Sequence, residues 1–388
     1  MEAAIQSPLW HRVRKLALIV GAVGLGLSAL GALFSREQFF QAYLFAYVFW
    51  LGIALGCLGI VMLHNLSGGG WGVAIRRLLE SGMNTLPLLA LLFLPLLFGL
   101  HYLYEWARPE EVAKDVFLQH KAGYLNLPFF IFRAALYFAL WIGAAVLLTR
   151  WSRQAAEADI AAAARLRSVS GPGLVVYVLT ITFASIDWIM SLEAHWYSTI
   201  FGVHFLGGHG LAALAFAILF SALLWRDVPE AENIPAAHRL DLGNLLLGFV
   251  MSWAYFALSQ WLIIWSGNLP EEAVWYTHRN QGGWEWLARV VVVFHFFVPF
   301  MLLLSRRNKR RAEFLAAIAG TILVMRLADI FWYTVPAFRP GQFSLHWLDI
   351  AAPVGLGGIW LAGFLRELQR PPALRTRLYG MGEGTAHG

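Results

Sequence analysis

The sequence predicts an all-α integral membrane protein: about ten transmembrane helices in a single polytopic domain, 1–388, with an inner N-tail 1–15 and an inner C-tail 366–388 (N-in/C-in). Three observations predict it. About ten apolar stretches are long enough to cross a bilayer as helices. Apolar residues make up 59% of the chain and charged residues only 13%. Finally, if sides are numbered alternately from an inner N-terminus, twenty of the 29 basic residues fall inside, six outside and three within spans, the asymmetry of the positive-inside rule. One missed or invented helix would scramble that alternation.

Taken in order, the first span, Leu16–Phe34, follows Arg12, Arg14 and Lys15 and is read as a retained helix. Its apolar run is long for a cleaved signal peptide, although Ala29-Leu30-Gly31 is a tolerable small-x-small site. Arg36 stands outside, before the second span, Ala42–Leu63. Arg76 and Arg77 precede the third, Leu86–Tyr104, on the inner side. Arg108, Lys114 and Lys121 lie outside, before the fourth, Pro128–Leu148. Arg150, Arg153, Arg165 and Arg167 occupy the inner segment before the fifth, Leu174–Met190, and the sixth, Ser198–Leu224, returns inward. Arg226 and Arg239 precede the seventh, Leu245–Trp265, and Arg279 precedes the eighth, Leu287–Leu304. Five bases, from Arg306 to Arg311, mark the inner turn before the ninth, Ala312–Tyr333. Arg339 lies outside, before the tenth, His346–Leu365, and Arg366, Arg370, Arg375 and Arg377 close the chain inside.

Several functions are excluded or weakened by composition. The net charge of +6 consists of orientation signals, so nucleic acid is not an expected partner, whereas lipids are. Cys57 is the lone cysteine, which rules out Cys-x-x-Cys-His haem attachment, a cysteine-held iron–sulfur cluster and an internal disulfide. No Walker A or dinucleotide fingerprint occurs. The isolated chain is therefore expected to bind no metal, haem or cluster. Many of the 18 tryptophans and 12 tyrosines fall near span ends, as in an interfacial aromatic belt.

The longest connections are Glu105–Leu127 and Ser266–Trp286 outside, and Trp151–Gly173 and Trp225–Asn244 inside. Arg153–Arg167 reads either as a surface helix that Gly171-Pro172-Gly173 breaks or as a plain linker. The outer loops, with Glu105, Glu110, Glu111, Asp115, Glu271, Glu272, Trp275, Tyr276, Trp284 and Glu285, offer either an acidic, aromatic docking face or a solvated rim. Ser67-Gly68-Gly69-Gly70-Trp71 and Gln281-Gly282-Gly283-Trp284 precede spans that each contain a proline, a weak hint of an inverted repeat.

Ionisable groups inside a bilayer cost several kcal/mol and so become functional candidates. Here they gather toward the outer side, and the inner half shows no comparable set. At 1.5 Å per residue, Asp187 lies ~5–8 Å deep, His204 ~9 Å with His209 beyond it, His295 ~12 Å, and Asp349 ~5 Å. Arg326 and Asp329 share a helix face in the outer third of the ninth span and can pair. Nothing adjacent in sequence neutralises Asp187. Such a set suits a quinol site, which needs a proton acceptor and an apolar slot, or a proton half-channel. A haem between His209 and His295 is a weaker reading. Interhelical hydrogen bonding of each histidine is the structural alternative.

Long runs also resemble a known family. Phe183-Ala184-Ser185-Ile186-Asp187-Trp188 through Glu193-Ala194-His195-Trp196-Tyr197 to Gly202, and Tyr255 to Glu272 with Trp275-Tyr276 and Gly282-Gly283-Trp284, are similar to the ActF-type subunits of alternative complex III. So is the block from Thr85-Leu86-Pro87 to Pro95. These are a branch of the NrfD-like (polysulfide reductase type) membrane subunits. The resemblance covers roughly Leu63 to Phe338. It implies NrfD-like helical bundles, a bacterial inner (cytoplasmic) membrane location, and a place in a respiratory complex that oxidises quinol and passes electrons to a cytochrome c or an oxidase. Haem c and iron–sulfur centres would belong to partner subunits on the outer side, beside a second NrfD-like subunit. This chain would have no catalytic cofactor of its own, and would contribute a quinol-adjacent or proton-conducting cluster of Asp187, His204, His209, His295, Arg326, Asp329 and Asp349. From other classes, a stand-alone ion-coupled secondary transporter and a purely structural anchor for redox subunits remain open.

Overall fold

The computed structural model describes residues 5–156, 160–225 and 234–370. Arg226, Arg375, Arg377, part of the inner segment Trp225–Asn244 and most of the tail 366–388 lie outside them. Ten helices in this set are long and apolar enough to cross a membrane: α1 Pro8–Phe34, α2 Arg36–Ser67, α3 Gly70–Leu97, α4 Leu127–Ala156, α5 Ile160–Trp188, α6 Phe201–Trp225, α7 Ala236–Gly267, α8 Trp284–Leu304, α9 Ala312–Thr334 and α10 Leu348–Leu368.

Contacts between connections sort into two ends, as alternating spans require. At one end Arg14 and Gln6 reach Gln369, Arg77 reaches Leu368, and Lys309 reaches Asn244. At the other, Lys121 donates to the Ala194 carbonyl, Trp196 to Glu272, and Arg339 to Asp349. The first end carries the basic excess.

The bundle is built around α2, whose span is 94% buried. An apolar helix buried on every side is what an unbroken, non-amphipathic run such as Ala42–Leu63 forms in a large core. It packs on α3, α5, α6 and α10. Gly56 permits the closest approach: a Cβ there would stand 2.0 Å from the His209 carbonyl oxygen of α6. At the periphery, Gly21 and Gly24 of α1 meet Gly358 and Gly355 of α10 backbone to backbone, the small-residue packing of membrane helices. α7 and α8 are also peripheral, each with 22% of its span buried.

Four expectations are corrected. The third span begins at Gly70, not Leu86, so Arg76, Arg77 and Glu80 lie inside a membrane-length helix. Hydropathy hides this because it counts each charge as polar, although Arg76 pairs with Glu80 one turn on and Arg77 donates to the Leu368 carbonyl. α5 runs unbroken from Ile160 through Gly171-Pro172-Gly173, so there is neither a separate surface helix nor a linker there among the described residues. Neighbouring spans hold this stretch in place, with Asn65 donating to Ser170. α1 starts at Pro8, which shortens the expected N-tail. Trp275 and Trp284 are buried rather than rim residues.

Two spans are irregular: α3 is interrupted at Asn84-Thr85, and α8 widens into a π turn over Val292–Phe297. Both follow glycine pairs at positive φ, Gly68-Gly69 and Gly282-Gly283, as the two glycine motifs require. The turns still differ, because ψ at the helix-capping glycine is 149° in one and −16° in the other.

Candidate functional site

The main polar centre forms where α6, α7, α8 and α9 meet. One helical turn of α9 places Arg326 and Asp329 on the same buried face, and Arg326 Nη1 pairs with Asp329 Oδ2. The Trp253 indole of α7 donates to the same oxygen at 3.2 Å. Asp329 Oδ1 accepts no hydrogen bond among the described residues. Room for the guanidinium comes from Gly208 of α6, where a Cβ would lie 2.3 Å from Arg326 Cζ.

Two expected histidines join this centre. His204 packs on Tyr333, with ring centroids 5.0 Å apart, and His295 stands edge-on to Trp253 at 4.5 Å. The π turn explains the second: it adds a residue to the turn and leaves His295 fully buried while Phe294 and Phe297 remain exposed. Such bulges recur at functional sites. Neither nitrogen of His204 has a hydrogen-bond partner, and Arg326 Nη2 has none. Neither nitrogen of His295 has a hydrogen-bond partner among the described residues. Buried polar groups are satisfied in the great majority of cases, so unpartnered donors and acceptors concentrated at one point mark a place suited to a polar ligand or water.

Trp253, Asp329 and Tyr333 of this centre line one wall of a cavity of about 650 Å³ between α7, α8 and α9, whereas Arg326, His204 and His295 are not among its lining residues. The other walls are apolar: Ala254, Ala257, Leu258 and Trp261 from α7, and Val292, Val293, Phe296 and Phe297 from α8. Leu258, Val293 and Phe297 are exposed on the bundle's flank. Tyr276, Asn280, Glu285 and Arg289 ring the outer end. Burial pushes the Tyr276 phenol up, so it remains a neutral donor. Its helix, Pro270–Arg279, is seated by fully buried Arg279, which bonds Glu193 at 2.6 Å and the carbonyls of Trp332 and Tyr333.

The other expected site residues lie elsewhere. Asp187 is not solitary. Arg133, 54 residues away on α4, grips it with two 2.8 Å bonds, and Tyr137 donates a third. Arg133 is itself stacked on Tyr124 and Phe129 and donates to the Tyr124 carbonyl. This arrangement fills the acid's acceptors and clamps α4 to α5, where sequence reading had a free acid. Asp349 is held by both terminal nitrogens of Arg339, by Gln38 and by the His346 amide, closing the outer turn into α10. The three aspartates thus have three separate arginines, and no hydrogen bond joins them among the described residues. His209 faces α2 over Gly52, whereas His295 faces Trp253. The neighbour of His295 across that indole is His204, so His209 and His295, the pair of the weaker haem reading, face different neighbours. Among the described residues no group of three or more His, Cys, Asp or Glu is placed to hold a metal ion.

The inner half, expected to be bare, contains a buried network. Arg76 bonds Glu80 at 2.7 Å, His64 Nδ1 at 3.1 Å and Asn65 at 2.6 Å, and Ser152 donates to Glu80 at 2.7 Å. Its only sequence signal was the i,i+4 spacing of Arg76 and Glu80. It joins α2, α3 and α4 and lines none of the cavities described. Compared with known proteins, the chain matches no family model and no curated protein sequence.

Proposed function

We propose that this chain is a membrane subunit of a quinol-oxidising respiratory complex and that it receives quinol in the α7–α8–α9 cavity. The observation that carries the proposal is the pairing of an apolar chamber on the bundle's flank with a buried carboxylate in its wall. A volume of about 650 Å³ is within the range of small-molecule sites. Quinol is dissolved in lipid, so its tail would lie along Leu258, Val293 and Phe297 while its ring enters between Trp253 and Trp332. Arg326 and Trp253 hold Oδ2 of Asp329 and leave Oδ1 to take a hydroxyl proton. Oxidation releases two protons and two electrons; one proton passes to Asp329 Oδ1 and the second to water at the cavity's outer end, where Glu285 and Asn280 line it. The electrons need acceptors, which we assign, as the resemblance implies, to iron–sulfur and haem c centres of outer-side partner subunits. The resemblance to the alternative complex III branch supports the same reading.

The interruptions of α3 and α8 favour one second reading, a stand-alone ion-coupled transporter, because broken helices build such sites. Purification in mild detergent followed by an inventory of co-migrating subunits separates the two. Haem and iron–sulfur subunits should accompany the chain. Within that complex, Ala257→Trp should fill the chamber, displace co-purifying quinone and reduce quinol oxidation at least ~10-fold, equivalent to about 1.4 kcal/mol. An assembled Ala257→Trp complex with unchanged quinone content and turnover would overturn the assignment.

A further inference from the structure

We propose that a second groove, between α3, α4 and α10 at the basic end of the bundle, binds an anionic phospholipid of that leaflet. The groove encloses about 480 Å³. Arg150, Arg153 and Arg370 line it, against one carboxylate, Glu367. Arg370 already occupies Glu367, at 2.6 Å, and Arg150 and Arg153 have no acidic partner among the described residues. The groove therefore presents two guanidiniums on one helix face, three residues apart, without an acidic partner among the described residues. Guanidinium forks match phosphate oxygens.

The polarity of the groove is that of an amphiphile. On α4, Val146 lies one turn deeper than Arg150 and Ile142 two turns deeper, so one stripe passes from basic to apolar over ~12 Å at helical rise. Pro87 of α3 and Ala145 complete the apolar part. Val146 is exposed on the flank of the bundle, where an acyl chain would run. The interruption at Asn84-Thr85 sets the floor, with Thr149 donating to Asn84 at 2.9 Å to pin α4 to the bend. Gln154 Oε1 is buried in the groove wall without a hydrogen-bond donor, which suits a hydroxyl-bearing headgroup such as phosphoglycerol. Basic pockets between spans on the cytoplasmic side are known to hold anionic headgroups. A free phosphate would satisfy the arginines but not the apolar stripe.

The test uses the full chain in detergent, read by native mass spectrometry and by thermal shift on adding phosphatidylglycerol, phosphatidylcholine or inorganic phosphate. One phosphatidylglycerol per chain should be retained, with phosphatidylcholine at least ~10-fold weaker and phosphate without effect. The Arg150→Gln/Arg153→Gln variant should lose the phosphatidylglycerol preference at least ~10-fold. Val146→Trp, which keeps both charges, should weaken phosphatidylglycerol as well, and it decides the matter if the arginine variant fails to fold. Equal binding of phosphatidylcholine, an equal shift with phosphate, or retention of the lipid by both variants would overturn the proposal. Exclusion of lipid by a co-purified acidic subunit cross-linked to Arg150 would also overturn it.

Discussion

Asp187→Asn is expected to damage the fold rather than a proton path, and the structure gives the size of the effect. Asp187 is fully buried and accepts two bonds from Arg133 and one from Tyr137. An asparagine amide is isosteric but turns one of those acceptor positions into a donor facing a donor. Charge-assisted hydrogen bonds are worth ~1.5–3 kcal/mol each. The larger loss is the charge left behind: Arg133 is 5% exposed, and opposite a neutral amide it keeps one amide oxygen, the Tyr124 carbonyl and two ring faces but no counter-charge. Removing one partner of a buried pair costs ~3–5 kcal/mol.

The same reasoning predicts rescue. Replacing both residues, as Arg133→Leu/Asp187→Leu, removes the stranded charge, and buried ion pairs exchanged for apolar groups are often neutral. The double variant should therefore recover most of the loss, whereas Arg133→Leu alone should be as poor as Asp187→Asn. Folded yield and thermal unfolding of the parent, Arg133→Leu, Asp187→Leu and the double variant, measured in one detergent, complete a double-mutant cycle. Asp187→Asn and Arg133→Leu variants both as stable as the parent, with additive effects in the double variant, would refute the clamp and restore a free acid at this position.

Three further outcomes are expected. Gly56→Val forces α2 away from α6, because a Cβ would sit 2.0 Å from the His209 carbonyl oxygen. Overpacking of this kind costs ~1–3 kcal/mol or more, measurable as a loss of folded protein, and Gly26→Val, where the space is open, is the matched control. At the outer loop, partial desolvation pushes the Asp115 carboxyl up, but the Phe117 and Leu118 amides and His195 outweigh it and hold it below the ordinary carboxylate range. Its contribution is thus present above the unfolded value, about 3.9, and is lost as pH falls through the lower folded value; proteolytic nicking at residues 109–121 should rise only under those acidic conditions, and Asp115→Asn should nick equally at all pH values. Reporter fusions after Arg226 and after Arg366 should both signal the cytoplasmic side, as the basic excess requires.

The number and order of spans were legible because a helix crossing lipid must be long and apolar, a one-dimensional property. The Arg326–Asp329 pair was legible for a similar reason, since three residues on one helix are neighbours. What the sequence concealed was pairing over distance. Arg133 and Asp187 are separated by 54 positions and a loop, so Asp187 read as unpaired. The inner network was lost differently: Arg76 and Glu80 reduced the local hydropathy and pushed the expected start of the third span from Gly70 to Leu86. Gly171-Pro172-Gly173 misled in the opposite sense, because a membrane helix supported by its neighbours accommodates a proline that would end a short surface helix. The cavity had no local signal at all, since its walls come from three helices and the loop before α8.

The distribution of ion pairs bears on where function can reside. Asp187 and Asp349 have all their oxygens engaged by arginine and by other donors, so a ligand could reach them only by displacing a protein bond. Asp329 has one oxygen engaged and the other free, in the wall of the largest chamber described. A group that is both buried and incompletely satisfied is costly to keep, and three further groups around it are in that state, His204, His295 and Arg326 Nη2. The helix that frames the chamber is also the one with a π turn, and it is among the least buried spans. An irregular helix, unpaired polar groups and free volume therefore lie close together where α6 to α9 meet, while Asp187 and Asp349 are pinned. If the chain acts on a lipid-soluble ligand, substitutions at Asp329 should reduce that action further than the loss of folded protein from stranding buried Arg326 accounts for. Substitutions at Asp187 and Asp349 should alter assembly first.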